Sequence, residues 1–213
     1  MPDLNLLAVD TCFGACSVAV LRDSAVLASR RVVMERGHAE ALAPMVEEAM
    51  QAAGLAFKDL DKLAVTTGPG SFTGQRVGLA FMRGLRVALV KPLIGITSLA
   101  AMAEQARAET GRTIAAAVHD AKRDEVYLEM AGHAAQILSI GEAVRLLSSF
   151  CDLALAGTAA PQIVPHCPGA IVTAITAPDA IWVGRLALAV ADTGTPRPLY
   201  LRAPDAKLPA VKA

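Results

Sequence analysis

The sequence lacks any apolar run long enough to cross a membrane. Hydrophobic residues make up 54% of the chain, but charged residues interrupt each apolar stretch before it reaches the roughly 18–20 residues that a bilayer requires. Arg86 with Lys91 and Glu142 with Arg145 are two such interruptions. The first ten residues carry Asp3 and no basic segment, so they do not predict a signal peptide. We therefore expect a soluble cytoplasmic protein.

Cysteine is scarce, and neither sign of charge is in excess. Four cysteines are too few for a disulfide scaffold in a chain of 213 residues, and Cys12 and Cys16 do not form a C-x-x-C motif. We expect all four to be reduced thiols. The 20 basic and 20 acidic residues balance, which argues against strong direct binding to the phosphates of a nucleic acid.

The hydrophobic pattern predicts an α/β protein with two similar halves. Three short strands near the start are followed by helix and strand alternation, as expected of a mixed sheet covered by helices. The second half, from residue 113, repeats this order. We predict a first lobe over residues 1–110, a smaller second lobe over 111–192, and a segment, 193–213, that could complete the first lobe. In each half an acid follows the first strand, Asp10 and Asp120, at the sheet edge where open α/β sheets bind ligands.

A glycine-rich turn at residues 68–74, GPGSFTG, lies between a predicted strand and a predicted helix. Its spacing does not match a P-loop, because Gln75 stands where the lysine is required, nor a dinucleotide fingerprint. The alternative is structural, since Gly68 and Gly70 allow a tight turn and Ser71 or Thr73 can cap the helix. Three helical glycines, at 74, 78 and 84, predict close approach of another backbone, in the first place a packed helix, with a ligand as the alternative.

These segments together resemble the TsaB/YeaZ family of bacterial tRNA threonylcarbamoyladenosine biosynthesis subunits. The similarity is most specific in the GPGSFTG turn and the following Arg76-Val77-Gly78. Supporting matches are the residues 7–11 (LAVDT), 94–99 (IGITSL) and 198–202 (PLYLR). The resemblance implies two ribonuclease-H-like lobes of the actin/Hsp70/sugar-kinase superfamily, with mixed sheets covered by helices.

The resemblance also implies a scaffold or activating subunit without catalytic residues of its own. Such a protein pairs with the catalytic relative TsaD, is joined by the ATPase TsaE and forms a homodimer when alone. The balanced charge of this chain predicts only indirect contact with tRNA. The catalytic relative uses a His-x-x-x-His metal pair, whereas here His38 is followed at the fourth place by Leu42, so no metal is expected. Two alternatives stay open, an ATP-dependent phosphotransferase and a metallopeptidase-like protein.

Two sets of candidate residues follow. The predicted partner-binding residues lie on two helices, although both faces could instead cover their own sheet: Leu42, Met45, Val46, Ala49, Gly74, Val77, Gly78, Phe81 and Leu85. On this interpretation Gly78→Arg leaves the fold intact and abolishes association. Candidates for a vestigial nucleotide site are Asp10, Thr11, Gly68, Gly70 and Asp120. No cofactor is expected, which leaves open weak or interfacial binding of ATP or ADP with Mg²⁺.

Overall fold

The computed structural model describes residues 3–192 and 194–202, which form two lobes around two five-stranded mixed sheets. Lobe 1 is built on a sheet with the order β3-β2-β1-β4-β5. Its first three strands are antiparallel, and β4 and β5 continue the sheet in parallel with β1. The elements are β1 (Asn5–Asp10), β2 (Ala15–Arg22), β3 (Ala25–Val33), α1 (His38–Ala53), β4 (Lys62–Thr66), α2 (Phe72–Leu89), β5 (Leu93–Ile96) and α3 (Ser98–Thr110).

Lobe 2 repeats the arrangement with the sheet order β10-β9-β6-β7-β8. Strands β6, β7 and β8 are antiparallel, and β9 and β10 run parallel to β6. The elements are β6 (Ile114–Lys122), β7 (Glu125–Met130), β8 (Gln136–Ser139), α4 (Ile140–Leu147), β9 (Leu153–Ala156), α5 (Ala160–Ile163), β10 (Ile171–Val172) and α6 (Ala180–Leu188). The predicted fold class, two mixed-sheet lobes covered by helices, is confirmed.

Both faces of the central strands of each sheet are buried, which explains the high apolar content. In β1, Leu7 and Val9 face α1 and α2, whereas Leu6 and Ala8 face α6 on the opposite side. Side chains alternate along a strand, so one apolar run supplies two cores. Within the described residues, no helix is both long enough and apolar enough to cross a membrane.

Helix α3 lies between the two lobes, and α6 returns to the first of them. Leu99 and Met102 of α3 pack against the inner face of the second sheet. Val183 and Ala187 of α6 are fully buried with Leu6 and Leu21 of the first sheet. Helix α6 falls within the range 111–192 assigned above to the second lobe, so the return to lobe 1 comes before Asp179 and earlier than the sequence pattern placed it.

The partner-binding face predicted on α1 is turned inward. Leu42, Met45, Val46 and Ala49 are buried in the core of lobe 1, where they cover their own sheet. They are therefore not a free surface of the lobe. Their contact with a partner stays a prediction.

The predicted close approach at the helical glycines is made to the end of β1 and not to another helix. A Cβ on Gly74 would lie 2.1 Å from the Thr11 carbonyl oxygen, and one on Gly78 would lie 2.7 Å from Thr11 Oγ1. Arginine at 78 would therefore disrupt lobe 1, so the expectation that Gly78→Arg leaves the fold intact is wrong. A Cβ on Gly84 would meet no heavy atom within 4 Å.

Gly78→Ala and Gly84→Ala make a matched pair on α2. We expect Gly84→Ala to raise the free energy of unfolding by about 0.5–1 kcal/mol, because alanine favours a helix and this position has space. We expect Gly78→Ala to lower it by about 1–2 kcal/mol, because the new methyl group displaces the Thr11 hydroxyl from its hydrogen bonds. Urea unfolding of both variants measures the difference, and equal effects of the two would contradict the packing described here.

Candidate functional site

The carboxyl-terminal ends of β1 and β6 face each other across a cleft of about 530 Å³ between the lobes. One wall comes from the turn after β1 and from the glycine-rich turn, and the other from the end of β6. Its lining includes Cys12, Phe13, Glu35, His38, Gly70, Ser71, His119, Asp120, Lys122, Tyr127 and Thr158. This position matches the one expected for a ligand site in an open α/β sheet.

Asp10, at the end of β1, is fully buried behind the cleft wall. Its Oδ1 accepts hydrogen bonds from the Thr66 hydroxyl at 2.6 Å and from the Cys12 amide at 3.1 Å. The Cys12 thiol donates in turn to Thr66 Oγ1 at 3.2 Å. The second carboxylate oxygen of Asp10, Oδ2, has no hydrogen-bond partner among the described residues. Burial raises the pKa of this carboxyl to about 6 despite the bonds from Thr66 and Cys12.

Thr11 fastens α2 to the end of β1. Its hydroxyl donates to the Gly74 carbonyl at 2.7 Å and accepts from the Gly78 amide at 3.1 Å. Both bonds lie inside the lobe, and glycine at the two helix positions leaves room for them. Thr11 therefore acts in packing and does not face the cleft.

The glycine-rich turn is bonded on both sides to other parts of lobe 1. The Ser71 amide donates to the Cys12 carbonyl at 2.8 Å, and the Ser71 hydroxyl caps α2 by accepting from the Gly74 amide at 3.0 Å. The Ser98 amide donates to the Gly68 carbonyl at 2.8 Å. A Cβ on Gly70 would stand 2.4 Å from the Cys12 carbonyl oxygen. These contacts give the turn a structural role, as the alternative interpretation of the sequence held.

Asp120, at the end of β6, lines the cleft but is bonded within its own turn. Its carboxylate accepts from the Lys122 amide and from Lys122 Nζ, both at 2.7 Å. The bonds to Lys122 lower the pKa of Asp120. An exposed pair of this kind is worth little stability. Asp120 therefore carries a paired negative charge at this wall.

Phe13 bridges the cleft by stacking on His119. The ring centroids are 3.8 Å apart with an interplanar angle of 23°. Burial lowers the pKa of His119 to about 4, so the imidazole is neutral near pH 7. Its Nδ1 has no hydrogen-bond partner in the part of the chain that the structure describes. The stack joins the two lobes across the space that a ligand of the cleft would enter.

Of the five candidates for a vestigial nucleotide site, only Gly70 and Asp120 line the cleft. Asp10 and Thr11 lie behind its wall, and Gly68 is buried beneath the turn. Nucleotide binding stays a prediction. Sequence reasoning missed the Phe13 and His119 pair because nothing local marks two residues 106 positions apart as neighbours.

The residues around His38 do not fit a metal ion. His38 Nε2 lies 3.1 Å from the Phe13 carbonyl oxygen, and the residue at the fourth place, Leu42, is buried in the core. No group of three or more His, Cys, Asp or Glu side chains at metal-binding distance occurs among residues 3–192 and 194–202. The chain therefore offers no donor set there that resembles a metal pair.

Helix α2 also presents an outward row of small and apolar residues, which we call the outer stripe. Its members follow at spacings of four and three: Thr73, Val77, Ala80, Gly84 and Val87. Val77 is half-buried and the others are exposed, Val87 to 79%. The alternating spacing is that of a seam between two helices packed side by side. Of the predicted partner-binding residues, Val77 belongs to this stripe, and Val77, Phe81 and Leu85 are all half-buried against lobe 1.

Asp10→Asn tests the buried carboxyl. A pKa raised by burial means that the folded state keeps this proton to higher pH than the unfolded chain does. The contribution of Asp10 to the free energy of unfolding is therefore largest below about pH 4. It falls by about 3 kcal/mol as the pH rises through about 6.

We expect the stability of Asp10→Asn relative to the parent to rise by about this amount between about pH 4 and about pH 8. Urea unfolding at several pH values measures it. Asp120→Asn is the matched control, because the lowered pKa of Asp120 confines its effect to below about pH 4, so the stability of this variant relative to the parent should stay constant between about pH 4 and about pH 8. A constant difference between Asp10→Asn and the parent would show that Asp10 is not buried in this way.

Comparisons with known proteins give a consistent result. The family model described as "TsaD: tRNA N6-adenosine threonylcarbamoyltransferase" matches residues 31–166. The tRNA threonylcarbamoyladenosine biosynthesis protein TsaB of Escherichia coli (strain K12) is 38% identical over 124 residues, which is 58% of this chain and 53% of that protein. This chain thus aligns with about half the length of that curated relative. An uncharacterised protein of Mycobacterium tuberculosis (strain H37Rv) is 36% identical over 97% of this chain and 96% of its own.

A solved structure extends the likeness to the full architecture. YeaZ from Pseudomonas aeruginosa superposes with a TM-score of 0.78 at 32% identity and covers 93% of this chain and 100% of its own. The match includes both lobes. It agrees with the resemblance carried by the GPGSFTG turn. The chain therefore belongs to the TsaB/YeaZ family.

Proposed function

We propose that this protein is an accessory subunit in the biosynthesis of tRNA threonylcarbamoyladenosine and that it activates a TsaD-type transferase by binding to it. Relatives at 38% and 39% identity carry the name of that pathway. In this chain Asp10 and Thr11 are bonded internally behind the cleft wall, and Asp120 is paired with Lys122. These are roles in folding, which suits a partner of a catalyst better than a catalyst. On the same proposal it needs no cofactor of its own.

The observation that carries the proposal is the outer stripe of α2. Its residues follow the 4-3 spacing of a helix seam, and apart from Val77, which packs partly against the core of lobe 1, no element of the described chain covers them. Small residues at a seam let two helices approach closely. We therefore assign the stripe, to which Val77 belongs, as the contact with the partner.

The match to the transferase family model supports a protein of homologous fold as the partner that covers the stripe. A family model for the transferase matches 31–166 of this chain, so the two proteins share the elements that carry the stripe. Related folds can meet through equivalent helices about a pseudo-twofold axis. The same face can then serve a homodimer when the chain is alone, and a TsaE-type ATPase completes the proposed complex.

Gly84→Arg tests the stripe without disturbing the lobe, because no heavy atom lies within 4 Å of the Cβ position. We expect it to weaken binding to a TsaD-type transferase at least about tenfold, since a charged side chain in a helix seam is desolvated without a partner. Size-exclusion chromatography measures binding to the transferase. Threonylcarbamoyl transfer to tRNA, assayed with and without the chain, measures activation.

Ala108→Arg is the matched control. Ala108 is an exposed small residue on α3, on the other side of the first sheet. This variant should bind and activate like the parent. If Gly84→Arg abolishes self-association but retains activation of the transferase, the stripe is the contact with a second copy of this chain and not with the transferase. Failure of the parent chain to bind or stimulate the transferase would refute the proposed function.

A further inference from the structure

Helix α2 and the segment beside it carry basic residues and no acidic ones. Helix α2 with Lys91 carries four cations and no acid, and the segment 194–202, which we call the crossing segment, carries two arginines and no acid. The six residues are Arg76, Arg83, Arg86, Lys91, Arg197 and Arg202. They are six of the chain's 20 basic residues. A chain with zero net charge therefore presents a strongly positive patch.

The crossing segment lies along α2 and holds the arginines in place through uncharged acceptors. Its Leu199 amide donates to the Thr67 carbonyl at 2.7 Å. Arg83 donates to the Pro196 carbonyl, and Arg86 donates to the Thr195 hydroxyl. Bonds to a carbonyl and a hydroxyl orient a guanidinium group but leave its charge uncompensated.

Among the described residues, carboxylates lie near both ends of this patch, but only one of them forms an ion pair with it: Asp192 lines a pocket with Arg86 and Lys91 without pairing with either. Arg202 pairs with Glu125 of lobe 2, which joins the crossing segment to the second lobe. None of the α2 cations forms an ion pair with another residue of 3–192 or 194–202. The positive charge along α2 is therefore available to an external anion.

Two exposed aromatic rings lie within the same surface. Phe72 is 53% exposed and Tyr200 is 42% exposed, in a chain with only 4% aromatic residues. Their ring centroids are 5.6 Å apart. The Arg76 guanidinium lies 3.5 Å from the Phe72 centroid and 5.9 Å from that of Tyr200, and Arg76 Nε donates to the Tyr200 hydroxyl at 2.9 Å.

These distances form a triangle and not a line, so Arg76 and Tyr200 do not sandwich the Phe72 ring. One face of that ring is left to solvent, which agrees with its exposure. An aromatic face beside unpaired guanidinium groups is the arrangement on which unpaired bases stack while arginines contact the neighbouring phosphates. An acidic protein surface would use the charges but would leave the exposed rings without a role.

We propose that this basic-aromatic surface binds single-stranded RNA, with an unpaired base stacked on Phe72 and phosphates held by Arg76 and Arg197. That the RNA is an unpaired loop of tRNA rests on the proposed function. The sequence predicted only indirect contact with tRNA because the total charge is zero. The distribution of charge, which a total conceals, supports direct contact instead.

Fluorescence anisotropy with the full chain tests the proposal, using an unmodified tRNA transcript and a hairpin of its anticodon arm, with and without a TsaD-type transferase. Phe72→Ala should weaken RNA binding about tenfold, because it removes one stacking platform. Phe72→Trp, which keeps an aromatic face, should retain binding. Arg197→Ala should lower the slope of log affinity against log salt by about 0.7, the loss of one phosphate contact.

Val90→Ala is the matched control, because this apolar residue at the end of α2 is 87% exposed but has no ring. It should bind RNA like the parent. Unchanged RNA affinity in Phe72→Ala would overturn the proposal, as would the absence of binding by the parent chain both alone and with the transferase. If Arg197→Ala weakens binding to the transferase and not to RNA, the surface belongs to an acidic protein.

The outcomes separate this inference from the proposed function. If the Phe72→Ala variant stimulates the transferase and keeps its tRNA affinity, the inference of an RNA-binding surface is refuted and the proposed accessory function stands. If RNA binding depends on Phe72 but the chain neither binds nor activates the transferase, the RNA-binding surface stands and the proposed accessory function is refuted.

Discussion

The hydroxyl group of Thr11 determines how the functional surfaces of lobe 1 are arranged. It bonds to a carbonyl and an amide in the first turns of α2, at Gly74 and Gly78, and so holds this helix against the end of β1. Glycine is required at both positions because any side chain would collide with Thr11. With α2 held there, the glycine-rich turn forms a wall of the cleft, the outer stripe faces away from the sheet, and the arginines lie beside the crossing segment.

Hydrophobic periodicity predicted the order of the elements well, because burial on a strand or helix face is a local property of the sequence. It could not say which surface covers each face. The apolar side of α1, with Leu42 and Val46, was open to a partner or to its own sheet until the structure placed it in the core. The return of α6 to the first sheet was missed for the same reason, since a contact between Val183 and Leu6 leaves no trace in either segment.

The candidate site was predictable in its position but not in its contacts. Acids after the first strand of each half correctly marked the edge at which the lobes meet. The environment of Asp10 depends on Thr66, which is 56 positions away, and no pattern near Asp10 reports that neighbour. The pairing of Arg76 with Tyr200 spans 124 positions. Phe72 lies within the GPGSFTG motif, but no pattern marked it as functional, and its exposure became known only with the fold.

The position of α6 also fixes the order in which this protein can be completed during synthesis. The residues of the first sheet, from 5 to 96, emerge from the ribosome long before 180–188, yet Leu6, Ala8 and Leu21 need α6 to cover them. Domains usually fold in the order of their translation. Here the first sheet keeps an uncovered apolar face while the whole second lobe is being made. The lobe whose strands are translated earlier is thus the later of the two to close, and until then its nascent form exposes the apolar residues that α6 will cover.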